Sequence, residues 1–228
     1  LSLTIPEGVT TMGRDACESN GIEELTLPNS LTTIDYFTFA FNTNLKTIHF
    51  GTGLKEIAYG AFKGCSGLEN IDLSTSNIEN IQSFAFSQCT SLTSVKFPSS
   101  LRQIYGSAFS ETTALQTVTF NDGLDGIGSS AFSGSGLTTV TLPNSLTYLG
   151  DYAFSSCKDL ASISIGTGIT EIPYNCFTGC NALTSVDLPE HVTSIGGGAY
   201  SYCDGLVSIT LPDHIQTVGA SAFASCSN

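Results

Sequence analysis

The protein has 228 residues, of which 41% are hydrophobic and 12% charged, with 20 acidic side chains against seven lysines and arginines. The net charge of −13 argues against nucleic acid as a partner, because binding the phosphate backbone requires a basic surface. The hydrophobic fraction is too high for a disordered acidic chain, and no apolar run approaches the roughly 20 residues of a membrane-spanning helix. We therefore expect an ordered protein without a transmembrane segment.

A unit of about 23 residues recurs along the whole chain. Numbered from Leu45, it reads L-x-x-V-x-L-P-x-x-L-x-x-I-x-x-x-A-F-x-x-C-x-x, and these repeat positions are used throughout. A period of this length predicts a solenoid. We predict one domain, residues 1–228, and expect it to be a piece of a longer array. Its ten or so repeats start near Leu1, Ile22, Leu45, Leu68, Leu92, Leu115, Leu137, Leu160, Leu183 and Leu206.

Each repeat predicts one short strand and one helical turn. The alternating apolar residues at positions 4 and 6 indicate a β-strand whose positions 3 and 5 face outward, and a proline at position 7 commonly closes it. The Ala-Phe segment at positions 17 and 18 predicts a short helical turn on the opposite side. Since position 18 is Phe in most copies, we expect a stack of aromatic rings along the core.

The repeat pattern resembles the BspA-like, or treponemal-type, leucine-rich repeat. The segment LTTVTLPNSLTYLGDYAFSSCKD, residues 137–159, follows that pattern almost throughout, and the resemblance covers essentially the whole chain. The chain departs from common leucine-rich repeats in lacking their loop asparagine after the strand. The resemblance implies a right-handed superhelix with a concave parallel β-sheet and short helical turns or loops on the convex side. It also implies a cell-surface or secreted protein of bacteria or mucosal protozoa that functions in adhesion.

The reactive side chains favour a structural role over a catalytic one. Six of the eight cysteines occupy position 21, where we interpret them as small buried thiols. His191 and His214 lie one repeat apart, each after an acidic residue, but other copies have Asn-Ser there, which favours an ordinary loop. No nucleophile and base pair, phosphate loop or zinc-type cysteine pair is present in the sequence. We predict no catalytic residue, no metal site and no cofactor.

Outward strand positions provide the candidate binding residues. Most are Ser or Thr, which also favour strands for their own sake, but charged or amide side chains interrupt this background in consecutive repeats. Residues 45–114, which hold most of these interruptions, are neutral, whereas residues 1–44 carry −5 and residues 115–228 carry −8. A partner would be repelled least at this middle. The predicted ligand-binding residues are Glu24, His49, Asn70, Asp72 and Lys96.

We interpret the chain as a non-enzymatic protein-binding and adhesion module. Its expected partners are host extracellular-matrix proteins or microbial surface proteins, with end-to-end self-association as a further possibility. The alternative is a structural spacer that holds another domain away from the cell envelope.

Overall fold

The computed structural model describes residues 1–227, and it confirms a solenoid of parallel strands with about 23 residues per turn. Most repeats contribute a three-residue strand at positions 3 to 5 and a two-residue strand at positions 12 and 13. In chain order the strands are β1 (Ser2–Thr4), β2 (Thr11–Met12), β3 (Glu24–Thr26), β4 (Thr33–Ile34), β5 (Thr47–His49), β6 (Glu56–Ile57), β7 (Asn70–Asp72), β8 (Asn80–Ile81), β9 (Ser94–Lys96), β10 (Gln103–Ile104), β11 (Thr117–Thr119), β12 (Gly126–Ile127), β13 (Thr139–Thr141), β14 (Tyr148–Leu149), β15 (Ser162–Ser164), β16 (Glu171–Ile172), β17 (Ser194–Ile195) and β18 (Thr217–Val218).

The two strand types form two rows along the solenoid. The longer strands pair in parallel as β1-β3-β5, β7-β9-β11 and β13-β15, which we call the first sheet. The shorter strands pair as β2-β4, β6-β8-β10-β12-β14 and β16-β17-β18, which we call the second sheet. The sequence pattern predicted the first sheet but not the second, because a strand of two residues is too short to show an alternation of apolar and polar side chains.

The predicted helical turn is wrong. Within residues 1–227 the segment at positions 16 to 20 consists of consecutive tight turns, and no helix is present. Positions 16 and 20 have positive φ in all ten copies, as at Gly60 (60°) and Gly64 (69°) or Ser107 (56°) and Glu111 (59°). A left-handed residue at each end of a five-residue segment prevents a right-handed helix from forming there.

Hydrogen bonds between repeats explain why this strained backbone is retained. The N–H groups of positions 16, 18 and 20 donate to the next repeat, from Gly60 to Ser83, from Phe62 to Ala85 and from Gly64 to Ser87, at 2.8–3.0 Å. The intervening N–H groups instead close turns within their own repeat, as from Ala61 to Ala58 at 3.1 Å. The turns therefore form a third hydrogen-bonded side of the coil, and few of their backbone groups are left unpaired.

The predicted aromatic stack is confirmed. Neighbouring rings at position 18 lie 5.3–5.8 Å apart between centroids, with their planes within 18° of parallel. Phe50, Phe97 and Phe120, at position 6, pack edge-on against this stack at 5.8–5.9 Å. The stack runs through Phe39, Phe62, Phe86, Phe109, Phe132, Phe154, Phe177, Tyr200 and Phe223. It lies in a core that is continuous from Ile22 to Ala222.

Tyr200 is the one hydroxyl in this stack, and its removal should stabilise the protein. Its side chain is fully buried, and its hydroxyl has no hydrogen-bond partner in residues 1–227. Because a buried polar group without a partner costs about 1–3 kcal/mol, Tyr200→Phe should raise the free energy of unfolding by an amount of that order. Urea denaturation followed by circular dichroism measures this. The reciprocal control, Phe177→Tyr, should be destabilising, and a Tyr200→Phe variant of unchanged or lower stability would contradict the interpretation.

Candidate functional site

The outward side chains at positions 3 and 5 form one exposed face of the first sheet, which we call the front face. Most are Ser or Thr, as in Thr117, Thr119, Thr139 and Thr141, whose side chains are exposed while Val118 and Val140 between them point into the core. The strand register places position 3 next to position 3 of the following repeat, so that the front face consists of two parallel columns. The predicted binding residues all lie on these columns.

Four of the predicted residues form two polar contacts across neighbouring strands, an imidazole–carboxylate contact between His49 and Glu24 and an ion pair between Lys96 and Asp72. His49 Nε2 lies 3.3 Å from Glu24 Oε1, and Lys96 Nζ lies 3.2 Å from Asp72 Oδ2. All four side chains are between 52% and 71% exposed, so water screens both pairs and each contributes little to stability. A partner that binds these groups would therefore lose little free energy by breaking the contacts.

The amide and carboxylate of β7 are fixed by their neighbours. Asn70 Oδ1 accepts hydrogen bonds from the hydroxyls of Ser94 at 2.7 Å and Thr93 at 3.2 Å. The hydroxyl and N–H of Ser74 donate to Asp72, and together with the weaker effect of Lys96 they hold the pKa of the Asp72 carboxyl below its ordinary value. Asp72 is thus a charged acceptor with a defined orientation.

The structure brings the five predicted residues together in two groups. Glu24 and His49 belong to the strand set β1-β3-β5, whereas Asn70, Asp72 and Lys96 belong to β7-β9-β11. A shallow groove of about 420 Å³ reaches His49 beside Pro28 and Phe50, and another of about 330 Å³ reaches Lys96 beside Phe97 and Phe120. The sequence predicted the two columns but not the side-chain pairs within them. The signal was available, because Asp72 and Lys96 share position 5 of consecutive repeats.

The cysteine column is structural. All eight cysteines are free, and six of the thiols donate to the backbone carbonyl of position 18 in the preceding repeat, as from Cys65 to Phe39 at 3.3 Å. In the second repeat, where the column has no cysteine, the side-chain amide of Asn42 donates in the same way to the carbonyl of Cys17 at 2.8 Å. Burial raises the pKa of the Cys65 thiol to about 12 and that of Cys157 to about 11. Thiols held protonated in this way are poor nucleophiles.

The histidine pair and the acidic residues bring no metal-binding cluster together within residues 1–227. His191 Nε2 lies 3.1 Å from the carbonyl oxygen of Gly166, which belongs to the corresponding loop of the preceding repeat. No helix in this part of the chain is long and apolar enough to cross a membrane.

Comparison with known proteins places the chain in a family. The description "BspA type Leucine rich repeat region" matches residues 10–136 and 107–228. The chain belongs to the BspA-type leucine-rich repeat family. Leucine-rich repeat proteins are protein-interaction modules, and the BspA-type solenoid is generally non-catalytic.

Solved structures show the same fold. A leucine-rich repeat protein from Bacteroides ovatus is 25% identical and superposes with a TM-score of 0.81, covering 99% of this BspA-type chain and 64% of that protein. The chain therefore spans less than two thirds of that relative. The pneumococcal vaccine antigen PcpA is 21% identical, with a TM-score of 0.56, covering 98% of this chain and 75% of PcpA. No curated protein matches the chain in sequence.

Alkaline pH should destabilise the protein through the cysteine column. Below a pH of about 9 the thiols of Cys65 and Cys203 are protonated in both the folded and the unfolded chain; between about 9 and 12 the unfolded chain loses these protons while the folded chain keeps them. Each buried thiol then lowers the free energy of unfolding by about 1.4 kcal/mol per pH unit. Urea denaturation between pH 8 and 11 measures the slope.

Cys65→Thr should reduce that slope, because threonine keeps a hydrogen-bond donor but does not titrate in this range. Thr112→Ser, in the same column, should leave the slope unchanged. An equal slope for Cys65→Thr and the unmodified protein would contradict the assignment.

Proposed function

We propose that this chain is a non-enzymatic protein-binding module of a cell-surface or secreted protein, and that its front face contacts the partner at Glu24, His49, Asn70, Asp72 and Lys96. The observation that carries the proposal is the two exposed polar pairs, Glu24 with His49 and Asp72 with Lys96, in a face that is otherwise mostly Ser and Thr. Membership of a family of protein-interaction modules supports the same function.

The geometry suits a protein partner better than a small substrate. The front face is open, and the two grooves beside it are shallow and lined by strand ends and the loop residues that follow them in successive repeats. Each groove is lined by an aromatic ring next to a polar side chain, Phe50 beside the His49 imidazole and Phe97 beside the Lys96 ammonium. Such a combination offers apolar anchoring with a charged rim, which is typical of protein interfaces.

Location at the cell surface and adhesion to extracellular-matrix or microbial proteins are part of the same proposal. The second candidate is a structural spacer. The regular stack of repeats, in which each coil is hydrogen-bonded to the next, favours that function because it resists bending and extension.

A variant of the front face separates the two candidates. The substitutions Glu24→Thr, His49→Thr, Asp72→Thr and Lys96→Thr give these positions the side chain that is common in the other repeats. We expect the variant to lose at least tenfold in affinity for whichever of fibronectin, laminin or mucin binds the unmodified chain in surface plasmon resonance.

Asp187→Thr is the matched control, because Asp187 occupies position 5 of a later repeat outside the proposed patch. It should keep its affinity within twofold. Unchanged affinity in the fourfold variant would reject the front face as the contact surface, and absence of binding to all three proteins by the unmodified chain would favour the spacer.

A further inference from the structure

A groove of about 510 Å³ opens on the side of the solenoid, between β14 and β16 of the second sheet. Tyr148 and Tyr174 line it with rings that are 56% and 51% exposed, and Asp151 and Glu171 add two exposed carboxylates. It is the largest of the grooves described above, and it lies on a different sheet from the front face.

The groove coincides with an interruption of the second sheet. In most repeats the N–H of position 14 donates to the carbonyl of position 13 in the preceding repeat, as from Gly150 to Ile127 at 2.8 Å and from Gly196 to Ile172 at 2.7 Å. Pro173 occupies position 14 and has no N–H, so the carbonyl of Leu149 lacks the donor that its counterparts have. β14 and β16 accordingly belong to different strand sets.

Tyr174 is held in place from three directions. The Tyr152 ring packs on it edge to face, with centroids 5.5 Å apart and planes at 78°. A Cβ atom added to Gly197 would lie only 3.3 Å from two carbons of the ring, so the ring lies against bare glycine backbone. The N–H of Tyr174 donates to Asp151 Oδ1 at 3.2 Å, which fixes that carboxylate beside the groove. Tyr174 and Asp151 are therefore held in place before any partner arrives.

The groove attracts positive charge. Its lining contains two carboxylates and no lysine, arginine, histidine, asparagine or glutamine. Within residues 1–227, no basic group lies within 4.0 Å of either carboxylate, and residues 115–228 hold one lysine, Lys158, and no arginine against nine acidic side chains. Tyrosine faces add to this negative potential, because the face of an aromatic ring attracts cations.

In the N-terminal half of the chain, two exposed or partly exposed aromatic rings contact cationic side chains. The Arg14 guanidinium lies over the Tyr36 ring at 5.1 Å, and the Lys63 ammonium lies over the Phe84 ring at 5.3 Å. Tyr36 and Tyr174 both occupy position 15 of their repeats. The residue at position 15 of the preceding repeat is Arg14 for Tyr36 and Asp151 for Tyr174. The Tyr36 ring is thus covered by a cation of the same chain, whereas the Tyr174 ring lies beside a carboxylate and no cation of the chain covers it within residues 1–227.

We propose that this groove binds a lysine or arginine side chain on an extended segment of a partner protein. The cation would lie against Tyr148 and Tyr174, between the carboxylates of Asp151 and Glu171 and within reach of the Leu149 carbonyl. A neutral sugar would also stack on tyrosine, but it would leave both carboxylates without a counter-charge. The proposal shares with the proposed function only the premise of a protein partner, since it concerns a separate surface.

The test is a titration of the ¹⁵N-labelled chain with the peptide acetyl-Gly-Ser-Lys-Gly-Arg-Ser-Gly-amide, followed by amide chemical shifts in NMR spectra. We expect the shifts of Tyr174, Gly196 and Gly197 to change with this peptide and not with the peptide that has glutamine in place of lysine and arginine. Tyr148→Ala with Tyr174→Ala should weaken binding at least roughly fivefold through loss of the ring contacts. Asp151→Asn with Glu171→Gln should weaken it by a similar factor.

Two matched controls separate a site from general attraction to an acidic protein. Asp122→Asn with Asp213→Asn removes the same charge elsewhere, and Tyr105→Ala with Tyr202→Ala removes two other exposed tyrosines; both should bind within twofold of the unmodified chain. The same spectra show whether each variant is folded. Equal weakening by the controls, equal binding of the glutamine peptide, no shift at the groove, or groove shifts with maltotriose alone would each overturn the proposal. The front-face variant should bind the basic peptide normally, so this result and that of the proposed function are independent.

Discussion

Hydrogen bonding between successive repeats is the interaction on which this structure depends. The two strand rows and the turns at positions 16 to 20 all direct N–H groups toward a neighbouring repeat. The turns achieve this only by placing two residues per repeat in the left-handed region, often residues other than glycine, at a cost of roughly 1–2 kcal/mol for each such residue. The aromatic stack and the thiols then fill the space that the three hydrogen-bonded sides enclose.

The part of the fold that follows from repetition could be predicted from sequence. A fixed period of apolar side chains places Phe62, Phe86 and Phe109 in one column whatever the local backbone, because stacked coils bring equal positions together. The turn conformation could not be predicted in the same way. Ala-Phe segments resemble a helix locally, and the requirement for N–H groups to reach the next repeat, which overrides that preference, is a property of the assembled coil.

The same division applies to the candidate sites. The front face followed from outward strand positions, but the pairing of Glu24 with His49 joins positions 3 and 5, and its geometry depends on side-chain conformations that a repeat pattern does not specify. The groove between β14 and β16 is a second site that the repeat pattern did not predict. Pro173 is the one proline outside position 7, and its effect is visible only when the preceding repeat is placed against it.

The cysteine column also bears on how this molecule can be handled in the laboratory. Asn42, Thr112 and Ser135 occupy the same buried column as the cysteines, and Thr112 donates its hydroxyl to the carbonyl of Phe109 at 2.7 Å. The column thus also accommodates asparagine, threonine and serine, so sulfur is not required in every repeat. A thiol-free version of the array, with threonine or serine in the column and with Cys17 and Cys176 outside it also replaced, would allow a single cysteine to be introduced on the surface for attaching a fluorophore or a spin label at a chosen repeat.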